Sequence, residues 1–264
     1  MKKYFVIGNP INHSLSPKLH NYWIKNNNIK AVYEKKKLNE TDVGSIILQV
    51  RKGEIDGLNI TVPFKKSVIP YLDKLSPLAE EAQSVNTVYR ENNKIIGHNT
   101  DIVGFQLAIK KINYDVKNKI VFILGAGGVV SSIIIALKKM GASKIILSNR
   151  TVEKAKNLKK KFPIVEILNW GKIQNFDMIV NATSLGLKKD DKIKLDYTAI
   201  GRNKLFYDVI YNPNETNFLS KAKQSGSKIE NGRMMFIYQA QQSFALWHKI
   251  LPDINDETIK LLDQ

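Results

Sequence analysis

The chain has 264 residues, enough for one large core or two ordinary ones, and its 43% hydrophobic content is ordinary for a folded protein. It contains no cysteine, which excludes disulfides, thiolate metal sites and cysteine nucleophiles. The 41 basic and 24 acidic residues leave a net charge of +17. The lysines, however, are dispersed as in Lys35-Lys36-Lys37, Lys65-Lys66 and Lys159-Lys160-Lys161, with no interleaved aromatics and no arginine-rich arm. That dispersal fits a solvated basic surface that draws anionic small molecules better than a nucleic-acid interface. The apolar run after Met1-Lys2-Lys3 is too short for a signal peptide, and no apolar stretch approaches the roughly 20 residues that span a bilayer. A cytoplasmic protein with no membrane partner is the expectation.

In chain order, Tyr4 to Ile7 reads as a first strand and Pro17 to Asn26 as a helix. Ser16 before Pro17 has the form of a helix start, a hydroxyl cap followed by proline at the first helical position. With Ser14 two residues earlier, the same place can instead receive a carboxylate. Ala31 to Glu34 reads as a second strand and Thr41 to Val50 as a helix. Leu58 to Val62 alternates, which predicts Leu58, Ile60 and Val62 on one face and Asn59 and Thr61 on the other. Val85 to Arg90 and Lys94 to His98 flank Glu91-Asn92-Asn93-Lys94 as a hairpin. With the turn centred on Asn92-Asn93, Asn86 faces Asn99, and Asp101 lies diagonally beyond Asn86. Asn86, Thr100 and Asp101 therefore gather at one end of the hairpin, within reach of Lys65.

The segment Ile102 to Ile112 reads as a helix. Next comes an apolar run, Ile120 to Leu124, followed at once by Gly125-Ala126-Gly127-Gly128, a helical stretch from Val129 to Met140 closing on Gly141, and a second apolar run from Lys144 to Leu147. Strand, glycine turn, helix and strand is the setting in which a dinucleotide pyrophosphate sits against a helix N-terminus, though such a turn can also be a plain tight connection. Ser148-Asn149-Arg150-Thr151 at the end of the second strand offers no carboxylate for ribose hydroxyls. It offers an arginine fork for a 2′-phosphate, with Lys154 one helical turn on, which favours NADP over NAD. Asp177 to Asn181 and Lys204 to Asp208 supply later strands, and Met234 to Leu251 a long final helix. His13, His20 and His98 show no metal-ligand spacing, and no metal is expected.

Taken together, Gly8-Asn9-Pro10-Ile11-Asn12-His13-Ser14-Leu15-Ser16-Pro17 with His20-Asn21, Asn59-Ile60-Thr61-Val62-Pro63-Phe64-Lys65, Val85-Asn86-Thr87 and Asn99-Thr100-Asp101-Ile102-Val103-Gly104 closely resemble the shikimate dehydrogenase family. The likeness continues through Gly125 to Gly128, Asn149-Arg150-Thr151, Asn181 to Gly186, Tyr207-Asp208 and Tyr238-Gln239. It implies an α/β protein of two domains. Residues 1–101 plus 237–264 would form a substrate-binding domain with its own twisted sheet, to which the C-terminal helix returns. Residues 102–236 would form a Rossmann-type NADP-binding domain, with the catalytic cleft between the two.

The resemblance further implies that Ser14 and Ser16 bind the shikimate carboxylate. Thr61, Lys65, Asn86, Asp101, Tyr211 and Gln239 would hold the ring and its hydroxyls, with Lys65 and Asp101 catalytic. The cofactor would lie on Gly125, Ala126, Gly127, Gly128, Val129, Asn149, Arg150, Thr151 and Lys154, its nicotinamide end against Val209 and Gly232. Local departures are Val129-Val130-Ser131 after the glycines and Arg233-Met234-Met235 before the last helix. The expected partner is a small molecule, shikimate or 3-dehydroshikimate, and the expected state a monomer or homodimer. A quinate/shikimate dehydrogenase and a shikimate dehydrogenase-like paralogue are the alternatives within the class. A basic nucleic-acid-binding protein is the alternative outside it, and it leaves Lys65, Asn86 and Asp101 without a role.

Overall fold

The computed structural model describes residues 1–197, 200 and 203–263. The chain divides into two compact units, Met1–Gly104 with Ile237–Gln264, and Phe105–Phe236.

The first unit opens with β1 (Lys2–Gly8), α1 (Ser16–Asn26), β2 (Ala31–Lys37), α2 (Val43–Lys52), β3 (Gly57–Ile60), β4 (Lys74–Leu75), α3 (Pro77–Ala82), β5 (Thr87–Glu91) and β6 (Lys94–His98), and α4 (Asp101–Lys111) leads out of it. Its sheet has the order β2-β1-β3-β5-β6-β4, parallel from β2 to β3 and antiparallel through β5 and β6. The hairpin register is the expected one, with Thr87 opposite His98, Val88 opposite Gly97 and Glu91 opposite Lys94. Ile7, Ile46, Ile47, Val50, Leu58, Ile60, Phe64 and Val88 form a continuous core over α2, as one apolar face per element requires.

Three local expectations need correction. Strand β3 stops at Ile60, so Val62 is not on the buried face but 58% exposed. Strand β2 runs on through Lys35, Lys36 and Lys37, because an edge strand tolerates charge. Ser16 is not the cap of α1 but its first residue, and the cap position falls on Leu15, whose side chain has no acceptor. The Ser14 hydroxyl takes the role instead, accepting from the Ser16 N–H at 3.3 Å.

The second unit contains β7 (Ile120–Leu124), α5 (Val130–Lys139), β8 (Lys144–Ser148), α6 (Val152–Lys161), β9 (Val165–Ile167), β10 (Met178–Asn181), β11 (Leu205–Asp208), α7 (Asn217–Gln224) and β12 (Lys228–Glu230). All pairings in its sheet are parallel, in the order β12-β11-β10-β7-β8-β9. The strand sequence reverses direction at the β7–β10 pair, the topological switch beside which doubly wound sheets bind their ligands. Helix α8 (Arg233–His248) starts in this unit and continues into the first, which α9 (Asp256–Lys260) completes. Helix α8 ends three residues before its apolar pattern does, because Lys249 turns left-handed at φ 57°. No described helix is long and apolar enough to cross a membrane.

Candidate active site

In the first unit, Lys65 lies in a turn just after β3, between Phe64 and Val68, which are buried in the core. The Lys65 carbonyl accepts from the Val85 N–H at 2.8 Å, which ties this turn to the residue before Asn86. Asp101 is the first residue of α4. Its Oδ2 meets the Lys65 ammonium at 2.5 Å, and the two side chains are only 11% and 7% exposed. A buried ion pair adds little net stability, since desolvation offsets most of its attraction.

The Asn86 amide sets the other side of the carboxylate. Its Nδ2 donates to Asp101 Oδ1 at 3.0 Å and to Thr100 Oγ1 at 2.8 Å, and its Oδ1 accepts from the Thr100 N–H at 2.8 Å. Gln239, on α8, points Oε1 towards the same Nδ2 at 3.4 Å. Lys65, Asn86, Asp101 and Gln239 are thus brought into one hydrogen-bonded group. The Ser14 and Ser16 hydroxyls, at the start of α1, lie 3.2 Å from one another. Thr61 follows β3, with its N–H on the Ile7 carbonyl at 2.9 Å. His98 is a residue of β6 whose main-chain carbonyl accepts from Asn86 N–H at 3.0 Å. Burial holds its imidazole below the usual histidine range.

In the second unit, Gly125 adopts φ 111°, open to glycine and unfavourable to other residues, and a Cβ there would sit 2.7 Å from the Ala182 carbonyl oxygen. Gly127 differs: a Cβ on it would meet no protein atom within 4 Å. The turn therefore packs tightly on the β10 side at Gly125 and leaves open space at Gly127, just before α5. Ala126, Gly128 and Val129 complete it. Space bared by a glycine before a helix N-terminus at the sheet's switch point fits a dinucleotide pyrophosphate. At the end of β8, the Asn149 side chain closes its own turn by donating to the Thr151 carbonyl at 2.8 Å. Arg150, Thr151 and Lys154 are exposed around it, which leaves two cations available to a 2′-phosphate.

Val209 and Gly232 are pressed together, since a Cβ on Gly232 would overlap the Val209 carbonyl. The Gly232 N–H donates to the Ile210 carbonyl at 3.0 Å. Arg233, one of the departures noted above, bonds through its guanidinium to Asn214 Oδ1 and through its N–H to Asn231 Oδ1, so it braces the segment beside Gly232. Tyr211 belongs to this unit and stacks on Phe236 with ring centroids 4.3 Å apart. Among the described residues, no group of three or more histidine or acidic side chains is placed to hold a metal ion.

Sequence reasoning missed the ring of polar groups at Asp208. This residue closes β11, is fully buried, and accepts from Thr216 Oγ1 at 2.7 Å, the Ile210 N–H at 3.0 Å and Asn181 Nδ2 at 3.1 Å. Burial nevertheless pushes its pKa up to about 6, against the pull of those three bonds. A carboxyl raised in the fold favours the folded state fully only below its unfolded pKa, and that contribution is lost as pH rises through the folded value. Between about pH 4 and pH 6 the protein should therefore lose about 3 kcal/mol of stability through this group. In Asp208→Asn, urea unfolding free energies measured across that range should show a flatter slope. An unchanged slope would mean that Asp208 is not the group responsible.

A parallel sheet with a glycine turn at its switch point, and a separate unit carrying a buried lysine–carboxylate pair, are the parts of a nicotinamide-dependent dehydrogenase of the α/β class. Sequence profiles described as "Shikimate dehydrogenase substrate binding domain" and "Shikimate / quinate 5-dehydrogenase" match residues 6–88 and 106–196. The chain belongs to the shikimate dehydrogenase family. It is 62% identical over 264 residues, the full length of both chains, to the shikimate dehydrogenase (NADP(+)) of Pelagibacter ubique (strain HTCC1062). The crystal structure of shikimate dehydrogenase from Aquifex aeolicus matches with a TM-score of 0.91 at 37% identity, covering 100% of this chain and 96% of that one. That of shikimate 5-dehydrogenase from Thermus thermophilus in complex with NADP(H) and shikimate matches with a TM-score of 0.90 at 30% identity, covering 99% and 98%.

Proposed function

We propose that the chain catalyses the reversible NADPH-dependent reduction of the ring ketone of 3-dehydroshikimate to the hydroxyl of shikimate. The observation that carries this reading is the buried Lys65–Asp101 contact at 2.5 Å, fixed from behind by Asn86. NADPH, when bound, supplies the hydride. As the carbonyl carbon becomes saturated its oxygen gains negative charge and must be protonated, and the Lys65 ammonium is the donor. In the oxidation of shikimate the same nitrogen receives the hydroxyl proton. Asp101 holds the ammonium in place, and the Asn86 amide holds Asp101.

The remaining residues bind and orient. The Ser14 and Ser16 hydroxyls receive the substrate carboxylate at the start of α1, and Thr61, Asn86, Tyr211 and Gln239 hold the ring hydroxyls, so that binding fixes the reacting carbon. The cofactor's pyrophosphate lies along Gly125 to Val129, its adenosine 2′-phosphate by Asn149, Arg150, Thr151 and Lys154, and its nicotinamide end beside Val209 and Gly232. On this reading residues 1–101 with 237–264 are the substrate-binding domain and 102–236 the cofactor domain. The protein works in the cytoplasm as a monomer or homodimer, and its charge of +17 serves to attract anionic small molecules.

The cofactor assignment is tested by Arg150→Asp. Removing a charge-assisted donor pair and adding a carboxylate should lower kcat/KM for NADP by about 10- to 100-fold, with a smaller change for NAD. Steady-state rates with each cofactor at saturating shikimate measure this. A variant that keeps the full preference for NADP would remove Arg150 from cofactor selection.

A further inference from the structure

Beneath the Lys65–Asp101–Asn86 group lies a layer of buried hydroxyl and amide groups to which no catalytic or binding role falls. Ser243, on α8 one turn after Gln239, is fully buried, as is Thr87, and Thr100 is nearly so. A serine hydroxyl has one proton to give and two lone pairs to fill. Ser243 directs its proton to the Gln239 carbonyl at 3.0 Å. Its two lone pairs are then left for two of the three donors in range, Thr87 Oγ1 at 2.7 Å, Asn59 Nδ2 at 3.0 Å and Thr100 Oγ1 at 3.2 Å. Asn59 is held from its far end by the Tyr33 hydroxyl at 2.7 Å and also donates to the Asn86 carbonyl at 3.1 Å.

The consequence falls on Asn86. Thr100 Oγ1 already accepts from Asn86 Nδ2 at 2.8 Å, so its own proton must go elsewhere. Two acceptors lie in range, Ser243 Oγ and, at 3.2 Å, Asn86 Oδ1. Thr87 faces the same choice, with Asn86 Oδ1 at 3.1 Å. Asn86 Oδ1 accepts the Thr100 N–H at 2.8 Å, and a threonine proton taken by Ser243 does not crowd that contact, so Nδ2 stays on Asp101. A flipped Asn86 would set its oxygen against the Asp101 carboxylate at 3.0 Å, a repulsive contact in a buried site.

We infer that Ser243 is a positioning residue: by accepting the buried threonine protons it holds the Asn86 amide in the orientation that aims Asp101 at Lys65, and it links that orientation to Gln239 on the same helix. This inference rests on the catalytic reading above and extends it to a residue that does not touch substrate.

The test is a double-mutant cycle on the full-length protein. Ser243→Ala should lower kcat/KM for shikimate about tenfold, within the coupling range of one buried network, with KM for NADP unchanged. In an Asn86→Ala background the same substitution should change kcat/KM by less than about twofold, because its route of action is gone. Thermal melting of each variant separates folding from function. Should Ser243→Ala fold poorly, Thr87→Val replaces it, with Thr87→Ser expected to restore the rate. An effect of equal size in both backgrounds, or a folded Ser243→Ala protein as fast as the parent, would overturn the inference. Absence of turnover in the unmodified protein would instead overturn the catalytic reading, so the two failures are distinct.

Discussion

Lys65→Ala is expected to lower kcat by about 10²–10⁴, the range for loss of a positioned general acid–base, and to weaken shikimate binding by less than about tenfold, the worth of one hydrogen bond. The asymmetry follows from where the lysine acts. Its proton is needed only as charge develops on the ring oxygen, and an interaction made mainly in the transition state appears in kcat rather than in ground-state binding. The truncation also leaves the 5% exposed Asp101 without its counter-ion, although Asn86 Nδ2 still donates to it. Lys65→Met keeps the volume and serves as a control for that structural effect. Stopped-assay kinetics together with calorimetric titration of shikimate separate the two quantities. A variant that turns over at the parental rate would remove Lys65 from the chemistry.

Trp247→Ala should cost about 3–5 kcal/mol of stability in the first unit, the range for truncating a large buried aromatic. Trp247 sits near the end of α8, 8% exposed, with its indole N–H on the Val88 carbonyl of β5 at 3.2 Å. Its ring lies 4.9 Å from that of Tyr4 and 5.5 Å from that of His20. The seat exists because residue 57 is glycine; a Cβ there would overlap the indole nitrogen. This is how the sequence fastens the end of α8 to its first sheet. Urea unfolding followed by tryptophan-independent circular dichroism measures the loss, and a variant as stable as the parent would mean that α8 is held by other contacts. His20 in the same cluster stacks flat on Tyr33 with centroids 4.2 Å apart. Burial, with a further push from His248, lowers its pKa to about 3, so it acts as a neutral packing ring.

What was legible in the sequence is what local periodicity sets. The hairpin turn at Asn92-Asn93 gave the pairing register, and the register in turn placed Asp101 near Asn86. The apolar run, glycines and helix from Ile120 to Met140 reappear as β7, turn and α5 within a residue at each end. Where a side chain's surroundings come from distant chain segments, the pattern was mute. Ser243 interrupts the apolar Phe236, Ala240, Phe244 and Trp247 spacing and would pass for an ordinary small residue. Its meaning comes from Asn59, Thr87 and Thr100, more than 140 positions away. Asn59 was placed on a polar face, yet that face is covered by Tyr33 and α8. Ser16 resembled a cap because Ser-Pro starts many helices; the chain enters one residue earlier, and Ser14 takes the amide. Asp208 lay at the end of a strand with no hint of burial, since Asn181 and Thr216, which enclose it with the nearby Ile210 N–H, come from another strand and a later loop.

The family likeness and the lysine–aspartate couple meet in one assay. Purified protein is mixed in turn with shikimate or quinate and with NADP or NAD, and the reduced nicotinamide is followed by its absorbance. Rapid turnover of shikimate with NADP is expected, with a much slower rate in the other three combinations. No turnover of shikimate with NADP, or a preference for quinate with NAD, would contradict the assignment.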